Sequence, residues 1–83
     1  MTLLYFAWVR QTLGRSEEEI ALPPEVKTVG ELAAFLRARG GAYAAAFADT
    51  KKLRAAVNRE HAGWDAPVRA RDEVAFFPPV TGG

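Results

Sequence analysis

The segment TVGELAAFLRARGG, residues 28–41, predicts the main helix of the chain. Thr28 is placed to be the N-cap, and Glu31, three residues later, completes a capping box. The i, i+3, i+4 and i+7 positions form one apolar stripe of Val29, Leu32, Ala33 and Leu36. We expect Gly40 and Gly41 to end the helix. A helix with a single apolar stripe packs one face against another layer, and the flanking segments predict that this layer is a sheet.

Two strands are predicted before the helix. The uncharged run Leu3–Val9 is apolar on both alternating faces, as in a central strand covered on two sides. Arg10–Ser16 predicts a turn. Glu17–Leu22 predicts an edge strand with an acidic start, which Pro23 and Pro24 stop.

A short helix and more strands are predicted after the main helix. Tyr43–Phe47 is alanine-rich and predicts a short second helix. Leu53–Asn58 and Glu73–Phe77 predict strands, and a turn or short strand is expected around Ala62–Trp64. This order predicts an α+β roll, with a mixed sheet of about five strands and one main helix packed on one face. It is the element order of the β-grasp, or ubiquitin-like, fold.

The composition limits what the chain can be. Its 83 residues support a single domain, 1–83. Without cysteine it has no disulfide framework, thiolate nucleophile or zinc finger, and one histidine, His61, cannot supply a multi-histidine metal site. The net charge of +1 argues against nucleic-acid binding by phosphate neutralisation. With neither an export signal nor an apolar run near the roughly 20 residues of a membrane helix, we expect a cytoplasmic protein without a membrane partner.

Several polar residues allow more than one interpretation. Lys51, Lys52 and Arg54 form a basic cluster that is either a solvated face or a surface that steers docking onto an acidic partner. His61 is better explained as a surface or interface residue than as a general base or metal ligand. Arg10 either pairs with a carboxylate of a partner or simply lies at a strand end.

The C-terminus has an unusual composition. Pro78 and Pro79 favour an extended shape, and we expect the tail, residues 80–83, to be flexible. Four extended residues reach roughly 13 Å. Gly82 and Gly83 lack Cβ atoms, so they can enter a slot too narrow for any side chain. The terminal carboxylate is therefore suited to insertion into another protein's active site, although the dipeptide alone is better explained as a frayed end or a cloning remnant.

The last twelve residues, DEVAFFPPVTGG or Asp72–Gly83, closely resemble the C-terminus of the MoaD family, the small subunits of molybdopterin synthase. Tyr5–Arg10 resembles that family's opening strand, and Ala55–Asn58 the strand before its last turn. Trp64–Pro67 resembles its aromatic-Asp-x-Pro turn. The similarity spans essentially the whole chain, with His61 standing where an aliphatic residue is common in the family.

This resemblance implies a ubiquitin-like sulfur carrier. In such a carrier the Gly83 carboxylate is adenylated by a MoeB-like activating enzyme that uses ATP, and a sulfur donor enzyme then supplies the sulfur of a thiocarboxylate. The loaded tail enters a MoaE-like large subunit within a heterotetramer, and the sulfur passes to cyclic pyranopterin monophosphate. The chain itself would bind no cofactor and no metal. It would be a cosubstrate and subunit, with the catalytic side chains on the large subunit.

The resemblance also assigns roles to individual residues. Gly83, with Gly82 before it, would carry the chemistry. The predicted partner contacts are Phe6, Arg10, His61, Phe77, Pro78, Pro79, Val80 and Thr81. The predicted core face of the sheet is Leu3, Tyr5, Ala7, Val9, Val57, Val74 and Phe76. Phe6 and Phe77 would point to the opposite face, with Leu4, Trp8, Arg10 and His61 as further candidates.

Two alternatives remain open at this point. The chain could be a related ubiquitin-like sulfur carrier or protein modifier of another pathway, such as thiamine synthesis or thiolation. It could also be a β-grasp interaction module without chemistry. The segment Phe76–Thr81 favours the molybdopterin version, because thiamine carriers typically have a different segment before their glycines.

Overall fold

Five strands form one mixed sheet in the order β2-β1-β5-β3-β4 in a computed structural model that describes residues 1–79. The strands are β1 Thr2–Tyr5, β2 Glu17–Glu19, β3 Arg54–Val57, β4 Glu60–Ala62 and β5 Glu73–Phe77. The helices are α1 Ala7–Leu13, α2 Val29–Arg37 and α3 Gly41–Ala46, with a short 3-10 helix at Thr50–Lys52. β1 and β5 pair in parallel, and the other neighbours pair antiparallel. The predicted β-grasp architecture is confirmed, whereas the predictions for Val80, Thr81, Gly82 and Gly83 lie outside the described residues.

The main helix α2 is built as its sequence predicts. The Thr28 hydroxyl accepts a hydrogen bond from the Glu31 backbone N–H at 3.1 Å, and a Glu31 carboxylate oxygen accepts one from the Thr28 N–H at 3.1 Å. Both members of the predicted capping box are therefore present. The buried residues of α2 are Val29, Leu32, Ala33 and Leu36. Gly40, with φ of 76°, lies between α2 and α3, where a left-handed backbone favours glycine.

The first strand ends earlier in the structure than the sequence predicted. β1 ends at Tyr5, and α1 occupies Ala7–Leu13, all of which was predicted as strand or turn. The apolar run also fits a helix, because Val9 is fully buried and Leu13, four residues later, packs against the core. Gly14, with φ of 74°, ends α1 as its left-handed C-cap.

Two smaller expectations are corrected by the same helix. Ala7 is exposed and does not belong to the core face, because it is the first residue of α1 and no longer follows the alternation of β1. Trp8 packs against the edge of the core and not on the opposite sheet face.

The second strand is also shorter than predicted, since β2 covers only Glu17–Glu19.

The core lies between the sheet and the helices. Leu3, Val74 and Phe76 are fully buried, and Tyr5 is nearly so, as the alternation predicts. The ring of Phe76 meets that of Phe47 edge-on, with centroids 5.0 Å apart and an interplanar angle of 87°. Such aromatic pairs stabilise a core beyond the area they bury. This packing fixes β5, the last strand, against the helical layer.

The β3–β4 hairpin is anchored to the start of β5. Asn58 and Arg59 have φ of 52° and 71°, as the central pair of a type I′ turn requires. The Asn58 side-chain amide donates to Asp72 at 3.0 Å, and its oxygen accepts from the Glu73 backbone N–H at 3.0 Å. These bonds hold the hairpin turn in a fixed position beside the first residue of β5.

Within residues 1–79, none of the helices combines the length and the apolar composition that crossing a lipid bilayer requires.

Candidate functional site

The sheet face opposite α2 carries a shallow depression of about 340 Å³. We call this surface the outer face, and its lining residues are Leu4, Phe6, Ala56, Arg59, His61, Glu73, Ala75 and Phe77. The strand register explains the set, because Ala75 pairs with Leu4 on one side and with Ala56 on the other. Directly paired residues project to the same side of a sheet. The side chains of the two alanines are single methyl groups, so the centre of the outer face forms a depression between larger neighbours.

Two aromatic side chains lie at one end of the outer face. Phe6 follows β1 and is 48% exposed, and it is the only large hydrophobic side chain classed as exposed in residues 1–79. Phe77 ends β5 and is half-buried. Because β1 and β5 run parallel, both aromatics lie at the end of the sheet where β5 ends. Contiguous apolar surface of this kind on a small domain marks a site of interaction.

His61 belongs to the same surface. Its ring meets the Phe77 ring edge-on, with centroids 5.4 Å apart and an interplanar angle of 81°. His61 pairs with Ala56 across the β3–β4 hairpin, so it projects onto the outer face from the edge strand. The imidazole therefore borders the apolar surface and packs on an aromatic ring.

The structure brings together only some of the predicted partner contacts. Phe6, His61 and Phe77 lie on the outer face, and Pro78 and Pro79 follow directly, each half-buried. Arg10 was a candidate for this face, with a plain strand end as an alternative interpretation, and the structure places it in neither position. It is an exposed residue of α1 and does not line the depression, because the chain leaves the sheet after Tyr5. Whether these residues contact a partner remains a prediction.

The rim of the depression contains two charged residues that the sequence reasoning missed. Arg59 lies in the hairpin turn, and its Nε is 3.8 Å from a carboxylate oxygen of Glu73. The alternation of Glu73, Ala75 and Phe77 on β5 could have placed Glu73 on the outer face. Arg59 could not have been found in this way, because its direction depends on the type I′ turn.

A polar cluster on the helical side fixes the position of β1. The Glu18 carboxylate accepts hydrogen bonds from the hydroxyls of Tyr5 at 2.9 Å and Tyr43 at 2.7 Å, and from Arg39 at 2.7 Å. Arg15 lies 3.4 Å from the same carboxylate. The cluster joins β1 and β2 to α3 and to the chain that follows α2. We interpret it as a structural centre, since it lies on the side of the sheet opposite the outer face.

The cluster changes the proton affinities of its members. Burial alone would raise the pKa of Glu18, but the hydrogen bonds from Arg39, Tyr43 and Tyr5 lower it below its ordinary value. Burial and the bond to Glu18 raise the pKa of Tyr5, and the same two causes raise the pKa of Tyr43. The cluster is therefore held as a carboxylate surrounded by neutral phenols and a guanidinium.

The residues that the structure describes form no group of three or more metal-binding side chains, counting His, Cys, Asp and Glu. The outer face has one imidazole and one ion pair but no arrangement of a nucleophile and a base. The apolar centre of the outer face and its bordering aromatic rings are suited to packing against another surface.

Comparison with known proteins places this geometry in a family. The model of the ThiS family matches residues 3–83. The chain is 43% identical over 81 residues to the molybdopterin synthase sulfur carrier subunit of Escherichia coli strain K12, covering 98% of this chain and 96% of that protein. It is 34% identical over 83 residues to the protein of the same name from Haemophilus influenzae, covering 100% and 99%.

A solved structure agrees with these matches. The putative molybdopterin converting factor, subunit 1, from Pyrococcus furiosus has a TM-score of 0.69 and 30% sequence identity to this chain, and the match covers 95% of each chain. Fold and sequence similarity therefore both extend over nearly the full length, and the predicted resemblance to the MoaD family is confirmed. The chain belongs to the ThiS family.

Proposed function

We propose that this chain is the sulfur carrier subunit of a molybdopterin synthase. The observation that carries the proposal is the 43% identity, over 98% of the chain, to a protein of that name. The apolar outer face beside the end of β5 supports it, because a carrier needs a surface that docks next to its reactive terminus. The chain supplies both a docking surface and a C-terminal pair of glycines.

The proposed chemistry takes place on the main chain of Gly83. A carboxylate is a poor acyl donor because its charge repels nucleophiles and oxide is a bad leaving group. An activating enzyme solves this when a Gly83 carboxylate oxygen attacks the α-phosphorus of ATP and pyrophosphate leaves. A hydrosulfide ion released by a donor enzyme then attacks the carbonyl carbon, AMP leaves, and loss of the proton on sulfur gives the thiocarboxylate. The sulfur is therefore carried without any cysteine in the chain.

The proposed partners are proteins that receive the tail. The loaded Gly83 enters the large, MoaE-like subunit, where the sulfur attacks cyclic pyranopterin monophosphate, and two carriers in turn complete the dithiolene. The residues that bind the pterin and move protons belong to that subunit. The activating enzyme is MoeB-like and uses ATP, so this chain needs no cofactor of its own. We place the reaction in the cytoplasm.

The outer face is the proposed docking surface for the large subunit. Phe6 and Phe77 are the aromatic anchors, with His61 beside them. Aromatic side chains buried at the centre of an interface carry a large share of its binding free energy. Gly82 and Gly83 then need only a narrow channel in the partner, because they have no side chains.

Reconstitution tests this proposal. The purified chain carrying a C-terminal thiocarboxylate is mixed with the large subunit and cyclic pyranopterin monophosphate, and the formation of molybdopterin is measured. The proposal predicts product in proportion to the loaded chain and none with the unloaded chain. A loaded chain that binds the large subunit but forms no product would instead favour a sulfur carrier of another pathway. A chain that cannot be loaded at all would favour an interaction module without chemistry.

A further inference from the structure

An arginine borders the outer face at the end where the tail continues. Arg54 is the first residue of β3, and it pairs with Phe77, the last residue of β5. Directly paired residues of antiparallel strands project to the same side, with Cβ atoms about 5 Å apart. Arg54 therefore lies next to Phe77 on the same side of the sheet as the outer face.

The guanidinium of Arg54 is available to a partner. The residue is exposed, and its Nη1 donates one hydrogen bond to the Leu53 carbonyl at 2.7 Å. Within residues 1–79, Arg54 makes no ion pair. A guanidinium has five N–H donors in a fixed fork. The bond to Leu53 restrains the side chain while leaving most of its donors unused.

The charges of the outer face are arranged unevenly. At the far end of the depression, Arg59 and Glu73 form an ion pair that balances their charges. At the Arg54 end, Lys51 and Lys52 precede β3 in the 3-10 helix, both exposed and without an ion pair among the described residues. The whole chain carries a net charge of only +1, so this positive end is a local feature.

We propose that Arg54 is a contact residue for the large subunit, and that the surface it meets carries a carboxylate beside the entrance for the tail. The inference rests on the proposed function. A partner that covers Phe77 also covers its neighbour Arg54, and covering an unpaired guanidinium is costly unless an acceptor replaces water. A carboxylate fits best, because it can accept two parallel N–H bonds from the fork.

Lys51 and Lys52 have a different role in this arrangement. They lie in the turn before β3 and do not line the depression, so docking leaves them at the rim. Charges at a rim speed the encounter with an oppositely charged surface more than they hold the complex together. In the basic cluster, Arg54 is thus a contact residue, whereas Lys51 and Lys52 increase the rate of association.

The test measures association and dissociation rates of the full chain with the large subunit by surface plasmon resonance. Arg54→Glu is expected to raise the Kd by about tenfold or more, mainly through faster dissociation. The double variant Lys51→Glu/Lys52→Glu is expected to slow association severalfold at low salt, with an unchanged dissociation rate. Arg71→Glu is the matched control, because it reverses the same charge in the exposed loop before β5.

The outcomes separate this inference from the proposed function. If the unmodified chain does not bind the large subunit, both are wrong. If it binds and Arg54→Glu dissociates at the unmodified rate, or no faster than Arg71→Glu, the contact role of Arg54 is wrong and the proposed function stands. Arg54→Gln is measured alongside, since it keeps a polar side chain and removes only the charge, and circular dichroism verifies that each variant is folded.

Discussion

Phe76 and Phe77 are adjacent on β5 but project to opposite faces of the sheet. Phe76 is fully buried and packs edge-on against Phe47, whereas Phe77 is half-buried on the outer face beside His61. The same side chain at consecutive positions therefore serves two purposes, one in the core and one at the proposed interface. This pair gives a direct test of the face assignment.

Phe77→Ala should weaken binding to the large subunit and leave the fold intact. Removing an aromatic anchor from an interface centre costs about 2 kcal/mol or more, which is roughly a 30-fold increase in Kd. Titration calorimetry measures the Kd, and circular dichroism follows the fold. Phe76→Ala is the control, and it should lower the free energy of unfolding by about 3–5 kcal/mol through the cavity it leaves. Unchanged affinity for Phe77→Ala, or its global unfolding, would show that the faces are wrongly assigned.

Removal of Gly82 and Gly83 should separate docking from chemistry. The shortened chain keeps the outer face, so we expect it to fold and to bind the large subunit, although less tightly because the tail contacts are lost. It should form no thiocarboxylate, because its terminal carboxylate would belong to Thr81. The β-branched side chain of Thr81 would not fit an activating-enzyme channel that is narrow enough to admit only glycine. Loading of the shortened chain at the unmodified rate, measured by mass spectrometry, would contradict the role of the glycine pair.

Glu18→Gln should destabilise the fold in a pH-dependent way. Hydrogen bonds to a charged group are each worth about 1.5–3 kcal/mol, so a loss of about that size is expected at pH 7. The pKa of Glu18 is lowered in the folded state, so its contribution is present above the unfolded pKa of about 4.3 and is lost as the pH falls through the folded value.

The difference in stability between the native chain and Glu18→Gln should therefore shrink below about pH 4. Urea unfolding at several pH values measures it. Glu25→Gln, at an exposed position, is the control and should change stability by less than about 0.5 kcal/mol. A difference that stays constant from pH 7 to pH 3 would mean that the charge of Glu18 does not stabilise the cluster.

A loss of stability at alkaline pH is also expected from the same cluster. The raised pKa values of Tyr5 and Tyr43 mean that the folded state favours the neutral phenols. Their contribution is complete below the ordinary tyrosine pKa of about 10 and is lost as the pH rises above it. Tyr43→Phe should weaken this alkaline loss of stability, as followed by thermal unfolding at pH 8 to 11. An identical alkaline loss in both proteins would exclude Tyr43 as a source.

Thr28→Ala should cost about 1 kcal/mol, because it leaves the Glu31 N–H without its cap and breaks the capping box. Thr12→Ala, at an exposed position inside α1, is the matched control and should have little effect or a slightly stabilising one. The two free energies of unfolding are compared by urea titration. Equal values would mean that the cap does not stabilise α2.

Much of the fold could be predicted because local and tertiary preferences agree. In α2 the capping box and the apolar stripe both indicate a helix, and in β5 the alternation of Val74, Ala75 and Phe76 matches the buried and half-buried pattern. The segment after Tyr5 was mispredicted because its apolar residues fit two periods. Val9 and Leu13 at i and i+4, followed by Gly14, were the helix signal that the alternation obscured.

The outer face could be predicted only in part. Phe6 and Phe77 follow from alternation along β1 and β5, and this part was right. Arg10 was misplaced because its position depended on the length of β1. The placement of Arg54 beside Phe77 depends on the antiparallel register of β3 and β5, which strand periodicity does not fix. Pairings between distant segments are therefore the information that the structure adds.

The central claim is that sulfur is carried on the main-chain carboxylate of Gly83. Its most direct test is the intact mass of the chain after incubation with ATP, the activating enzyme and a sulfur donor. The account predicts a product in which one oxygen has been replaced by sulfur, with fragmentation placing the change at Gly83 and with no change when ATP is omitted. An unchanged mass in the presence of an activating enzyme that loads a known carrier would contradict the account.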